Sequence, residues 1–234
     1  MPTIDPHGGT LVQLLVDGTA AEALRDEARN LPTLVVSERE LSDLEMLAVG
    51  ALSPLTGFQV AETLAFKEQL AKRLSLNVVD LVGEYSNDRQ EAEFGARLFE
   101  SNPEMCCEIN KVRPMFEALR GLDAWVTSVR RDSSPTRANT PIVERYDLEP
   151  GNAIVKVNPM ANWTKPQVWR YLKEHDLPHN PLYDLGYSSI GCAPCTRMRL
   201  PDEPERAGRW AGIAKWECGI HVNESAQQGE AGSG

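Results

Sequence analysis

From about residue 59 onward the chain alternates between helical and extended hydrophobic patterns. Thr63, Phe66, Leu70 and Leu74 recur at spacings of three and four, which lines them up on one face of a helix. Asn77 to Val82 follows as a run rich in β-branched and aliphatic residues and predicts a strand. A second helix is expected near Glu91 to Phe99, and a third from about Lys111 to Arg120. Ala124 to Val129 reads as a buried strand, and Ile154 to Val157 as another. Thr164 and Gln167 make a capping box with Pro166 tolerated in the first turn, so a helix carrying Val168, Tyr171 and Leu172 should start there. Such alternation predicts an α/β domain with a mainly parallel sheet and flanking helices. Ligands of these sheets bind beyond the carboxyl ends of strands, and Arg130 and Arg131 fall directly after the strand that ends at Val129.

The first 57 residues pattern differently. Thr33 to Val36 predicts one short strand, and Ser37 with Glu40 a capping box that opens a helix through Leu44 and Leu47. A small α+β segment of this size is at the margin of independent stability. After Val222 the residues are small and polar, without an apolar face, and read as a disordered tail. The expected organisation is therefore a segment 1–57, a main domain 58–222 and a tail 223–234.

Composition narrows the functional classes. A chain of 234 residues with 41% hydrophobic and 25% charged residues can bury one core plus a small appendage. No run approaches the roughly 18 apolar residues of a membrane span, so no membrane partner is expected. The formal charge of −10 argues against nucleic acid, whose binding rests on neutralising phosphates with a basic surface. Met1 to Thr10 lacks the basic start and apolar centre of a secretory signal, so a cytoplasmic protein is expected. Against this acidic background Arg130, Arg131 and Arg137 lie close together, and Arg197, Arg199, Arg206 and Arg209 form a second group. Any one of them reads as solvated surface charge, but two groups fit a small anionic ligand better.

Five cysteines carry the sharpest signal. In a reducing compartment a disulfide framework is a poor account of them, and adjacent Cys106 and Cys107 cannot easily pair with each other. Cys192-Ala193-Pro194-Cys195 brings two thiolates onto one turn, and Cys106-Cys107 supplies two more from a distant segment. Four thiolates suit zinc or an iron–sulfur cluster, and spacing alone leaves both open. Taken in isolation the CxxC could also be a thioredoxin-type redox pair. Lys111, four residues beyond Cys107, would put a positive charge on the same helical face. Cys218 is left over, in Glu217-Cys218-Gly219-Ile220-His221. There His221 and the basic run Arg206 to Lys215 could favour a reactive thiolate.

Cys106-Cys107 with Lys111 and Pro114, the run Arg130-Arg131-Asp132-Ser133-Ser134-Pro135-Thr136-Arg137, Gly191-Cys192-Ala193-Pro194-Cys195, Arg206-Ala207-Gly208-Arg209-Trp210 and Glu217 to His221 jointly resemble the assimilatory adenylyl-sulfate and phosphoadenylyl-sulfate reductase family, collinearly from about Thr56 to Val222. The resemblance implies an adenine nucleotide α-hydrolase-like fold of the PP-loop type. It implies that Cys106, Cys107, Cys192 and Cys195 hold a [4Fe–4S] cluster, with Lys111 linking it electrostatically to the substrate. Cys218 would be the nucleophile and His221 would sit near it. Arg130, Arg131, Arg137, Arg206 and Arg209 would bind the phosphosulfate. The implied substrate is adenylyl sulfate rather than phosphoadenylyl sulfate, because the cluster cysteines are generally absent from enzymes that use the latter. Thioredoxin or glutaredoxin would release sulfite from an S-sulfocysteine on Cys218, and a homo-oligomer is compatible with the sequence.

The resemblance also has departures. No Ser-x-Gly-x-Asp-like phosphate loop precedes Cys106, and Leu55 stands where the family's Leu-Asp-Thr-Gly substrate loop, matched here by Thr56 and Gly57, carries an Asp. Ser133 replaces an expected Gln. Pro6 to Thr10, Ser37 to Glu45 and Gly50 to Phe58 resemble instead the N-terminus of ATP sulfurylase, without its Gln-x-Arg-Asn and His-x-x-His motifs. The expectation is a fusion truncated at the first strand and phosphate loop of the reductase core. Losing a phosphate loop's backbone N–H donors leaves the arginines to hold an anion and predicts weakened activity. The competing reading is a non-catalytic protein that holds zinc or iron–sulfur on the same four cysteines.

Overall fold

The computed structural model describes residues 50–120, 122, 124–149 and 152–221. The strand expected at Thr33 to Val36, the helix after Ser37 and the tail from Asn223 lie outside them. The chain divides into two compact units, one built from 50–118 and 166–222, the other containing 119–165.

In the first unit, β1 (Gly50–Leu55) and β2 (Asn77–Val82) pair in parallel, joined by helix α1 (Ala61–Arg73). The sequence reading missed β1, where Gly50 and Pro54 dilute the strand signal. The expected helix face is only half-buried: no residue of α1 is buried, and Leu74, just past its end, is 48% exposed. The Lys67 ammonium, 2.7 Å from Asp80, ties α1 to β2. This hydrogen bond outweighs the small desolvation cost and raises the Lys67 pKa.

The helix expected at Glu91 to Phe99 is two helices, α2 (Asn87–Phe94) and α3 (Leu98–Ser101). Between them Gly95 (φ +89°) and Arg97 (φ +56°) adopt left-handed or neighbouring conformations that a helix cannot continue through. The third expected helix begins earlier and is interrupted: α4 (Pro103–Cys107), a π-helical turn (Glu108–Val112), then α5 (Arg113–Leu119). Pro114 explains the interruption. It has no N–H to offer the carbonyl four residues back, that of Asn110, so the α-helical ladder cannot pass. Leu98, Cys106 and Ile109 form the core here, with Phe58, Tyr85, Phe94, Phe99 and Met105 packed against them. Helix α6 (Lys165–Glu174) starts beside the expected Thr164.

The second unit is built on β3 (Ala124–Val126), β4 (Val143–Glu149) and β5 (Asn152–Val157) in the order β3-β5-β4. β3 runs parallel to β5, and β4 antiparallel. Two of the three described pairings are therefore parallel, as the alternating pattern led one to expect. β4 was missed, although Tyr146 and Leu148 alternate with Asp147 and Glu149 ahead of Pro150-Gly151, a hairpin signal. Across that pair Lys156, 2% exposed, meets its register partner Glu144 at 2.9 Å and lies 4.4 Å from the Tyr146 ring. Ile142, Val143, Val157 and Ala161 make the apolar core of this unit. No described helix is long and apolar enough to cross a membrane.

Candidate active site

The tandem cysteines end α4, where both are buried. Asn102 starts that helix by accepting from the Met105 N–H at 3.0 Å, and Pro103 fits its first turn. Asn110, on the π-helical turn, donates to the Cys106 carbonyl at 2.9 Å and approaches Cys106 Sγ at 3.6 Å. It also exchanges two hydrogen bonds with Gln90, at 3.0 and 3.1 Å, and both amides are buried. Gly83 lets the chain after β2 pass close by, since a Cβ there would lie 2.8 Å from the Ile109 carbonyl oxygen.

Cys192 caps and Cys195 ends a single 3-10 turn, Ala193–Cys195, and both are half-buried. Thr56 reaches this turn from the end of β1: its Oγ1 lies 3.3 Å from Cys192 Sγ and accepts from the Phe58 N–H at 3.2 Å. The Phe58 carbonyl accepts from the Ala193 N–H at 2.7 Å. Gly57, at φ +72°, makes the corner, and a Cβ there would strike Asn87. Arg209 closes the turn from the other side, donating to the Ile190 carbonyl at 3.2 Å and to that of Cys195 at 3.3 Å. Its guanidinium occupies the space a side chain on Gly191 would need. Trp210, in the left-handed region at φ +48°, donates its backbone N–H to the Cys195 carbonyl at 3.1 Å.

All four cysteines line one solvent-connected pocket, together with Thr56, Asn110, Lys111 and Trp210. Among the described residues no three His, Cys, Asp or Glu side chains converge on one ion position. A lone tetrahedral zinc would draw all four sulfurs to about 2.3 Å from one centre. A [4Fe–4S] cube instead takes one thiolate at each of four irons. The buried indole Nε1–H of Trp210 has no hydrogen-bond partner among the described residues. Trp210 is one of the residues that line the pocket, and a sulfide or thiolate is an acceptor that such a donor could take. Four cysteines around one pocket are the donor set that a [4Fe–4S] cluster would take.

Electrostatics separate the groups. Burial pushes the Cys107 thiol up to about 12 despite the opposing charge of Lys111. Burial likewise raises Cys106, against the Asn110 hydrogen bond, and Cys195, where the Cys192 charge adds to the effect. Burial alone would lower Lys111, but the charges of Cys192, Cys218 and Cys107 outweigh it and hold the ammonium above its ordinary value. Metal ligation would have to displace the thiol protons, and it would gain from that fixed cation.

The other expected residues divide between the units. Cys218 is half-buried and its charge is felt at Lys111 and Cys107. His221 is the last described residue and is half-buried. Arg206 donates to the Trp216 carbonyl at 3.0 Å and meets Glu217 at 3.3 Å, which fixes it beside the Cys218 segment. Arg209 is 9% exposed, with its donors on backbone carbonyls of the CxxC turn. Arg130, Arg131 and Arg137 belong to the other unit, around two 3-10 turns after β3. There Arg130 Nε lies 2.9 Å from Asp132, and Arg131 donates to the Thr140 carbonyl at 2.7 Å and to Asn162 at 2.5 Å. Sequence reasoning missed Asn110 and Gln90, and it named Lys215 only as the end of the basic run before Cys218, without its partner Glu104. Only the buried position of Asn110 four residues after Cys106 could have hinted at the first.

The family model of the phosphoadenosine phosphosulfate reductase domain matches residues 46–198. This chain belongs to that family. A PUA-like domain model matches residues 4–72, overlapping it across β1 and α1. Adenosine 5'-phosphosulfate reductase of Streptomyces coelicolor is 41% identical over 215 residues, covering 88% of this chain and 90% of that protein. Phosphoadenosine 5'-phosphosulfate reductase of Gloeobacter violaceus is 45% identical over 170 residues, covering 71% and 69%. Among solved structures, phosphoadenylyl-sulfate reductase of Candida auris aligns with a TM-score of 0.56 at 26% identity, over 75% of this chain and 88% of that one.

Proposed function

We propose that this chain is a thioredoxin-dependent adenylyl-sulfate reductase. The observation that carries the reading is that four of its five cysteines share one cavity while Cys218 is not among the residues that line it. Relatives named adenosine 5'-phosphosulfate reductase support the substrate. Cys106, Cys107, Cys192 and Cys195 would hold the cluster, which when bound supplies a fixed charge and a rigid support beside a polyanionic substrate without changing redox state.

The remaining chemistry belongs to the chain's own residues. The Cys218 thiolate attacks the sulfur of the sulfate group, and the bond from that sulfur to the bridging oxygen breaks. AMP leaves with the electron pair, and Cys218 becomes an S-sulfocysteine. Lys111 offers a half-buried, protonated ammonium, and Arg206 offers further positive charge for the phosphosulfate oxygens. A thiolate of thioredoxin or glutaredoxin then attacks Cys218 Sγ and forms a mixed disulfide, and sulfite departs with the electron pair. The partner's second thiol resolves that disulfide.

Incubation with adenylyl sulfate in the absence of reductant, followed by mass analysis of the Cys218 peptide, tests this. A sulfonate adduct absent from Cys218→Ser is the expected result. An unmodified peptide at saturating substrate would overturn the reading and leave a non-catalytic cluster protein.

A further inference from the structure

Lys215 lies three residues before Cys218 and is 5% exposed, an unusual place for an ammonium. Its head group meets the Glu104 carboxylate and the Trp210 ring, 5.5 Å from the nitrogen to the ring centre. Glu104 lies in α4, two residues before Cys106, with its side chain 73% exposed. One end of the pair is thus inside and the other at the surface. Holding a charge inside is costly unless its partner is kept in place.

The segment after Lys215 docks on the same helical run. A Cβ on Gly219, at φ +97°, would stand 3.1 Å from Val112 Cγ2, on the π-helical turn, and Ile220 is 7% exposed. The flanks contrast with this, since Ile213 and Trp216 are 40% and 46% exposed. Lys215 is therefore the buried point in an otherwise open stretch, and its partner sits on the helix that carries the tandem thiols.

We propose that Lys215 is the positioning residue for Cys218: its ion pair with Glu104 fastens the segment bearing the fifth thiol to the helix bearing Cys106 and Cys107. This deepens the reductase reading, on which it rests for the role of Cys218. The charge of Lys215 also reaches Cys107 and Cys195, where it opposes the effect of burial. Without the pair the segment loses this tie to the helix, keeps the Arg206 contacts to Trp216 and Glu217 and those of Gly219 and Ile220, and moves more freely.

The test compares wild type with Lys215→Met, Lys215→Arg and Glu104→Gln in the anaerobically purified, cluster-loaded chain. Three quantities are read at one pH: amide exchange over residues 213–221, the rate of Cys218 alkylation by iodoacetamide, and the rate of S-sulfonation by adenylyl sulfate. For Lys215→Met, exchange and alkylation should rise about tenfold, the scale of a half-buried charge pair lost. S-sulfonation should fall at unchanged half-saturation, with iron content retained, and Lys215→Arg should restore most of it. Glu104→Gln alters an exposed carboxylate and should move the same readouts in the same direction by less, which keeps the test intact if Lys215→Met does not fold. Unchanged exchange and alkylation in both Lys215→Met and Glu104→Gln would overturn the proposal. Absence of S-sulfonation in wild type would defeat the reductase reading instead, while exchange and alkylation would still decide the role of Lys215.

Discussion

Cys106 and Cys107 are buried at the end of a helix, whereas Cys192 and Cys195 stand half-exposed on a single turn, yet both pairs face one cavity. The helical pair gets its place from backbone hydrogen bonding, from the hydrophobic cluster around Ile109 and from the Asn110–Gln90 amide pair. The turn is held differently. It is clamped from outside, by Thr56 and Phe58 on one side and by Arg209 and the Trp210 backbone on the other. Two thiol pairs with similar chemistry thus depend on different physics, core packing in one case and a few directional contacts in the other.

Substitutions can break this contrast, and the largest effect is expected at the ligands themselves. Cys106→Ser or Cys192→Ser should each abolish visible iron–sulfur absorbance, since a cluster that loses one thiolate loses a ligand in either pair. Asn110→Leu strips the buried Gln90 amide of its partner and should cost about 1–3 kcal/mol in chemical denaturation. Thr56→Val removes a hydroxyl from the clamp and should cost only about 0.5–1.5 kcal/mol. Its main sign should be faster cluster loss, read as absorbance decay in the presence of a chelator. If Asn110→Leu instead released the cluster without lowering stability, the division between core and clamp would fail.

The smallest expected effect lies on the loop after the turn, where Arg197 holds both oxygens of Glu203, at 2.8 and 2.7 Å. Those hydrogen bonds, helped by one from the Leu200 N–H, lower the Glu203 pKa from 4.5 to about 2. A carboxylate whose folded pKa is depressed stabilises the fold above its unfolded value and loses that contribution as pH falls through its folded value. The loop's contribution should therefore be full above 4.5 and fade toward about 2. A carbon-13 titration of the Glu203 carboxyl should find its midpoint in that low range, and a midpoint near 4.5 would refute the pairing.

What the sequence revealed follows the reach of each interaction. Cysteine spacing exposed the two pairs that share the pocket, because the two thiols of each pair are at most three residues apart. Strand β2 was found within its bounds and α6 within a few residues, since local periodicity and capping define them. The break at Gly95 and Arg97 and the π-helical turn before Pro114 were passed over because the apolar spacing alone continued smoothly across them. Gln90 and Asn110 meet across 20 residues, and Lys215 and Glu104 across 111, and no pattern in a single chain announces such pairs. Arg209 was expected to face an anion, and two of its nitrogens donate to the Ile190 and Cys195 carbonyls, contacts that no local pattern announces.

The most direct measurement of the division between four ligating thiols and one free thiol is alkylation mapping after anaerobic reconstitution with iron and sulfide. The account predicts uptake of roughly four irons per chain, with Cys106, Cys107, Cys192 and Cys195 protected and Cys218 labelled. A chain that takes up no iron and sulfide, or in which Cys218 is protected while one of the other four is labelled, would contradict it.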